Sequence, residues 1–207
     1  MNRLLLLALV AGSFEGVACG DSEPTDDGVD ASAATDVSMG AALSDVGVAT
    51  GATTYYIVRH TERNPGQDPP INAEGETRAE AIADRLEGAG VDEIIATMFI
   101  RGQQSGQPLA DRLGQSITVA PFTMTDWSSF AGEVSGWQRA REVAGSTYLM
   151  VGHAGGYNST LLRGLGAEEV PARNGERYED LVILIRELDG TVRVSAETYG
   201  GASSLDP

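Results

Sequence analysis

Two uninterrupted runs of large apolar residues, Tyr55–Val58 in "YYIVRH" and Tyr148–Val151 in "STYLMVGH", constrain this chain more than any other feature. Strict alternation of apolar and polar residues would mark a strand with one wet face, whereas a continuous run marks a strand buried on both faces. Each run stops at a histidine, His60 just after Arg59 and His153 just after Gly152, and these are the only two histidines in the chain.

Between the two runs the periodicity changes from strand to helix and back. From Glu74 to about Gly88, Ala79, Ile82, Ala83 and Leu86 recur at helical spacing, and Gly88 and Gly90 end the pattern. "DEIIATM" reads as a second strand, Gly102–Leu113 as a second helix stopped by Gly114, and "SITVAPF" as a third, shorter strand. Residues Thr123–Gly136 show no clear period and read as a functional or covering loop. Trp127, Phe130 and Trp137, in or beside it, either wall a pocket or pack onto the core.

"GWQRAREVA" predicts a third helix and "GGYNSTLLRGLG" a fourth, on either side of the second apolar run. The chain then closes with "LVILIREL" and "TVRVSAET", a hairpin turned at Asp189 and Gly190. Strands alternating with helices imply an α/β fold: a three-layer α/β/α sandwich whose sheet is mainly parallel, with an antiparallel edge hairpin. Ligands of such sheets sit beyond the carboxyl ends of the strands, where Arg59, His60 and His153 lie.

The N-terminus is of another kind. In "MNRLLLLALVAGSFEGVACGD", Arg3 precedes an apolar run of signal-peptide length, too short to span a bilayer. This reads as a signal peptide over residues 1–18, with Cys19 just after the cleavage point. The pattern resembles a bacterial lipoprotein signal, which implies lipidation of Cys19, although Gly16 and Glu15 depart from it. Ordinary secretion with cleavage after Ala18 is the alternative, and either implies export to the cell envelope or beyond. A lone cysteine forms no internal disulfide.

Residues 19–54 read as an acidic linker, with seven acids and no basic residue between Gly20 and Thr50, and 55–207 as one folded domain. A net charge of −16 argues against nucleic acid or an anionic membrane surface as an electrostatic partner. A membrane is expected as a partner only through a lipid anchor, if Cys19 is lipidated.

"VRHTE", "IRGQQSGQPLADRLG" and "VGHAGG", in that order through a βαβ pattern, resemble the histidine phosphatase superfamily, the phosphoglycerate-mutase-like group. The resemblance covers roughly Tyr55 to Glu197. It implies that His60 is the nucleophile, forming a phosphohistidine that water hydrolyses, and that Arg59, Arg101 and His153 complete the phosphate pocket. A neutral imidazole can attack without first losing a proton, and fixed donors stabilise the charge spread over the phosphoryl oxygens.

The family's Ser-Pro before the second arginine and its threonine after it are replaced here by Thr97, Met98, Phe99 and Ile100, and then Ser105. A different pocket wall beside Arg101 is therefore expected. Asp126, Glu133 and Glu62 are the candidate general acids, each equally readable as a surface carboxylate. Asn64 is a candidate substrate contact or a loop cap. Ala154 stands where a phytase-like branch carries its acid. No Cys/His cluster has zinc spacing, so neither metal nor cofactor is implied.

The function these residues imply is an exported phosphatase acting on a small phosphorylated substrate. The alternatives are a phosphohistidine phosphatase acting on proteins, and a non-catalytic phosphate-binding envelope lipoprotein.

Overall fold

A computed structural model describes residues 51–203, so the signal-like segment, Cys19 and the acidic stretch lie outside the described residues. The elements run β1 (Thr53–Arg59), α1 (Ala73–Leu86), β2 (Glu93–Ala96), α2 (Ile100–Leu113), β3 (Ile117–Val119), α3 (Trp127–Arg141), β4 (Thr147–Gly152), α4 (Gly155–Gly164), β5 (Asp180–Arg186) and β6 (Val192–Thr198). Strand β1 begins two residues before the apolar run, with Thr54 pairing with Thr147 of β4 and Thr53 with Arg186 of β5.

The six strands lie in the order β3-β2-β4-β1-β5-β6. The first four are parallel, while β5 runs antiparallel to β1 and β6 antiparallel to β5. After β1 the chain crosses to β2, moves outward to β3 and returns with β4 into the gap between β2 and β1. That return places the two histidine-bearing strands side by side, with Arg59 in register with Gly152.

Burial on both faces follows the period of two along each strand. Tyr55 and Ile57 of β1 join Phe130 and Val134 of α3 and Leu161 and Leu162 of α4 in one core. Val58 faces the other way, into a second core with Ile82, Ala83 and Leu86 of α1 and Leu109 and Ala110 of α2. The result is an α/β/α sandwich with two apolar layers, and the central, largely buried β1 and β4 contain the two continuous runs in the sequence.

Two sequence expectations are corrected. Residues from Trp127 to Gly136 form the first ten positions of α3 rather than a loop. Asp126 caps this helix, its side chain accepting from Ser129 N at 2.9 Å. The buried face includes Ser135 and Gln138 beside Phe130, Ala131 and Val134, and polar residues in the buried stripe erase the apolar period.

The final hairpin does not turn on two residues. Gly190 N donates to Glu187 O at 3.0 Å and Glu187 N to Thr191 O at 2.8 Å, leaving Leu188, Asp189 and Gly190 as a three-residue loop. Gly190 takes φ 87°, which suits a residue without Cβ.

Candidate active site

His60 follows the last residue of β1, and its backbone N donates to Gly152 O at 3.1 Å, prolonging the β1–β4 ladder by one bond. His153 follows Gly152 directly. Neighbouring parallel strands that end together bring the rings within 5.5 Å, centroid to centroid, at 68°. Arg101 joins them from the first turn of α2, the helix that follows β2, the other neighbour of β4. Arg59, His60, Arg101 and His153 are all buried, and all four line one cavity of about 460 Å³.

Each ring is held by a defined partner. His60 Nδ1 lies 2.9 Å from Thr61 O. A carbonyl only accepts, so Nδ1 carries the proton and Nε2 keeps its lone pair. Thr61 is in turn fixed by Ser105, whose hydroxyl accepts from Thr61 N at 2.8 Å and donates to Arg101 O at 2.7 Å. Ser105 therefore ties the nucleophile's loop to α2.

His153 Nε2 lies 2.9 Å from Thr97 Oγ1. With that hydroxyl donating, the ring proton sits on Nδ1, which is buried and bonds to no group among the described residues. It is thus available to an anionic oxygen. Behind it, Asn158 Oδ1 of α4 accepts from His153 N at 3.3 Å, and a Cβ on Gly152 would strike that oxygen and the Tyr157 ring.

The electrostatics favour two neutral imidazoles. Burial pushes His60 down to about 3, against the Thr61 carbonyl, which favours the charged ring, and with the positive Arg101, Arg59 and Arg63 acting in the same sense as burial. Burial, helped by His60, Arg101 and Arg59, also holds His153 well below the usual histidine range.

Arg59 stacks over Tyr178, its Cζ 4.1 Å from the ring centroid, and donates to Glu176 O at 2.9 Å. Arg101 lies over the Phe99 ring at 4.3 Å and meets the half-exposed Asp68 at 3.1 Å. Although the chain carries a net charge of −16, the described residues that line this cavity include three arginines and no carboxylate.

The acid candidates are not brought to the site. Asp126 is exposed, and the Ser129 backbone N–H that it caps holds its carboxyl below the usual range, the opposite of what a general acid requires. Glu133 is exposed on α3 and does not line the cavity. Glu62 is buried against Arg78, whose Nε donates to both carboxylate oxygens at 2.7 and 2.9 Å. Asn64 is exposed in the loop, its N donating to Pro70 O, and it too stays outside the lining. Of the three aromatics only Trp127 lines the cavity; Phe130 is fully buried in the core and Trp137 lies against Phe122.

Other residues complete the walls without having been singled out from the sequence. Arg63, Ser128 and Tyr157 line the cavity. The ring of Phe99 stands 5.2 Å from His153, Trp127 4.7 Å and Tyr157 4.9 Å, an aromatic collar around that imidazole. Arg63 was visible three residues after His60, on a loop known to leave the strand end. Of the collar, Trp127 is the aromatic that the sequence offers as a candidate pocket wall; its convergence with Phe99 and Tyr157 is not legible there, because the three come from α2's entry, α3 and α4.

No group of three or more His, Cys, Asp or Glu side chains among the described residues could hold a metal ion.

Comparison with known proteins agrees with this geometry. Residues 55–128 match the model of the histidine phosphatase superfamily (branch 1). The chain is 33% identical over 101 residues to the probable phosphoglycerate mutase GpmB of Enterobacter sp. (strain 638), a match covering 41% of this chain and about half, 47%, of that protein. Among solved structures, a mycobacterial glucosyl-3-phosphoglycerate phosphatase superposes with a TM-score of 0.54 at 14% identity, over 73% of this chain and 100% of the other. The protein histidine phosphatase SixA complexed with tungstate does so at 0.53 and 16%, over 71% of this chain and 97% of the other. The fold is that of these structures, and residues 55–128 are similar to the histidine phosphatase superfamily.

Proposed function

We propose that this protein is an exported phosphatase that hydrolyses small phosphomonoesters through a phosphohistidine on His60, with no metal taking part. The observation that carries the reading is the state of His60. Its Nδ1 proton is committed to Thr61 O, and its Nε2 lone pair belongs to a neutral ring in a cavity that also holds Arg59, Arg101 and His153.

In the first step Nε2 attacks phosphorus, the Nε2–P bond forms and the P–O bond to the leaving group breaks. Two guanidiniums and the Nδ1–H of His153 donate to the three phosphoryl oxygens as charge builds on them. In the second step water attacks phosphorus, the Nε2–P bond breaks, inorganic phosphate leaves and a proton from the water goes to solvent. The imidazole ends neutral, as it began. Fixed guanidiniums supply the positive charge that a cation supplies in other phosphatases.

Export rests on the signal-like N-terminus and Cys19. A phosphohistidine phosphatase acting on proteins is the second reading; it is favoured by the absence of a carboxylate among the described residues that line the cavity, since a histidyl phosphate needs little acid help to depart.

The test is to mix the protein with p-nitrophenyl phosphate, quench in alkali and look for alkali-stable phosphoprotein. It is expected in the wild type and absent in His60→Ala, together with turnover. Turnover that persists in His60→Ala, or a wild type that neither turns over nor traps phosphate, would overturn the reading.

A further inference from the structure

We propose that the substrate is a phosphomonoester of an aromatic alcohol, an aryl phosphate, whose ring lies against Trp127 and whose phenolate departs without a protein acid. This rests on the phosphatase reading above and goes on to specify the leaving group.

The first observation is the composition of the mouth. Trp127 is a large hydrophobic residue left 43% exposed, and it stands at this cavity. Phe99 lies 5.7 Å from Trp127 and 5.2 Å from His153. Trp127, Tyr157 and Ala154 line the cavity itself. An apolar rim around a guanidinium-lined floor suits a ligand with an anionic head and an aromatic body, since offset aromatic pairs add to the area they bury. An indole left 43% exposed beside buried guanidiniums is a surface on which an aromatic body can rest.

The second observation is independent of the first. None of the described residues lining the cavity is a carboxylate; Asp68 reaches it only as the ion-pair partner of Arg101, Asp126 caps α3, Glu62 is committed to Arg78, and Ala154 follows His153. Glu176 is exposed and its carboxylate rests against Gly155, outside the lining. An alkoxide, whose conjugate acid has a pKa of about 16, near that of water, departs poorly unless protonated. A phenolate, with a conjugate acid near 10, departs as the anion and takes its proton from solvent. Loss of general-acid help costs on the order of 10²–10⁴-fold, and that cost falls on alkyl esters.

The experiment measures kcat/KM of the full chain for 2-naphthyl phosphate, an O-phosphotyrosyl peptide, acetyl phosphate, phosphoramidate and glycerol 3-phosphate. Naphthyl phosphate is expected to exceed glycerol 3-phosphate by on the order of 10²–10⁴-fold. Trp127→Ala is expected to raise KM for naphthyl phosphate about 3- to 10-fold more than for acetyl phosphate, which has a good leaving group and no ring. The peptide arm separates the two sources of an aryl phosphate: peptide turnover near that of naphthyl phosphate assigns a tyrosyl substrate, and turnover of naphthyl phosphate alone assigns a small molecule.

Glycerol 3-phosphate hydrolysed within about tenfold of naphthyl phosphate would overturn the proposal and leave the phosphatase reading standing, with Glu176 the acid to test next. Phosphoramidate preferred over every ester would overturn it in favour of a phosphohistidine substrate. No turnover of any compound would overturn both readings together.

Discussion

Thr97 Oγ1 and His153 Nε2 stand 2.9 Å apart, both residues buried, at the adjoining ends of β2 and β4. This bond fixes the orientation of the His153 ring and, with the hydroxyl donating, leaves the ring proton on Nδ1, which bonds to no group among the described residues. Thr97→Val keeps the shape and removes the bond. It is expected to lower kcat/KM roughly 5- to 30-fold, the equivalent of about 1–2 kcal/mol, while Thr97→Ser restores most of it. Unchanged kinetics in Thr97→Val would show that the aromatic collar alone holds the ring.

The low pKa of His60 has two consequences of known sign. For activity, the nucleophile stays neutral from about pH 4 upward, so an acid limb near pH 6 belongs to the second ionisation of the phosphate ester and moves with the ester's own pKa. For stability, the folded ring titrates near 3 and the unfolded ring near 6.5, so between those values the unfolded chain binds more protons. The contribution of His60 is fully present above about pH 6.5 and is lost as pH falls toward 3. Urea midpoints measured from pH 7 to pH 4 are expected to drop more steeply for the wild type than for His60→Gln.

Glu62 illustrates why nearness in sequence to a nucleophile is a poor guide to an acid. Its partner Arg78 also donates through Nη1 to Gly201 O at 3.0 Å, and to Tyr199 O and Gly200 O at 3.4 Å, tying the loop after β1 and helix α1 to the chain's end. Removing one partner of a buried pair costs about 3–5 kcal/mol, because the other is left charged and dry. Arg78→Leu is expected to lose that much by denaturant unfolding. The double variant with Glu62→Leu should recover most of it, and Glu62→Gln should leave the pH profile of the reaction where it was.

The strands that position the site were legible because burial on both faces writes itself as an unbroken apolar run, in β1 and again in β4. A histidine just beyond such a run has nowhere to go but the sheet's carboxyl edge, so His60 and His153 were readable without knowing which strands adjoin. The first half of helix α3 was not readable, although its end was: Gly132 and Gly136 disfavour helix, and the buried stripe is partly polar. The acids were misjudged for a related reason. Whether a carboxylate is a cap, an ion-pair partner or a proton donor depends on what another segment places against it, as Ser129 N does for Asp126 and Arg78 for Glu62.

The last prediction concerns Asp68, which binds Arg101 Nη1 at 3.1 Å and also accepts from Ile100 N at 3.2 Å. A carboxylate on this guanidinium competes with a phosphoryl group for the same donors. Asp68 is 44% exposed, so solvent screens the pair and its worth is about 0–1 kcal/mol. Asp68→Asn keeps an oxygen to cap the amino end of α2 and removes the competing charge. The variant is expected to bind vanadate up to about fivefold more tightly in inhibition assays, with the advantage shrinking as salt is added. Weaker vanadate binding would instead mean that Asp68 holds Arg101 in position for the phosphoryl oxygens, and that the ion pair serves the reaction.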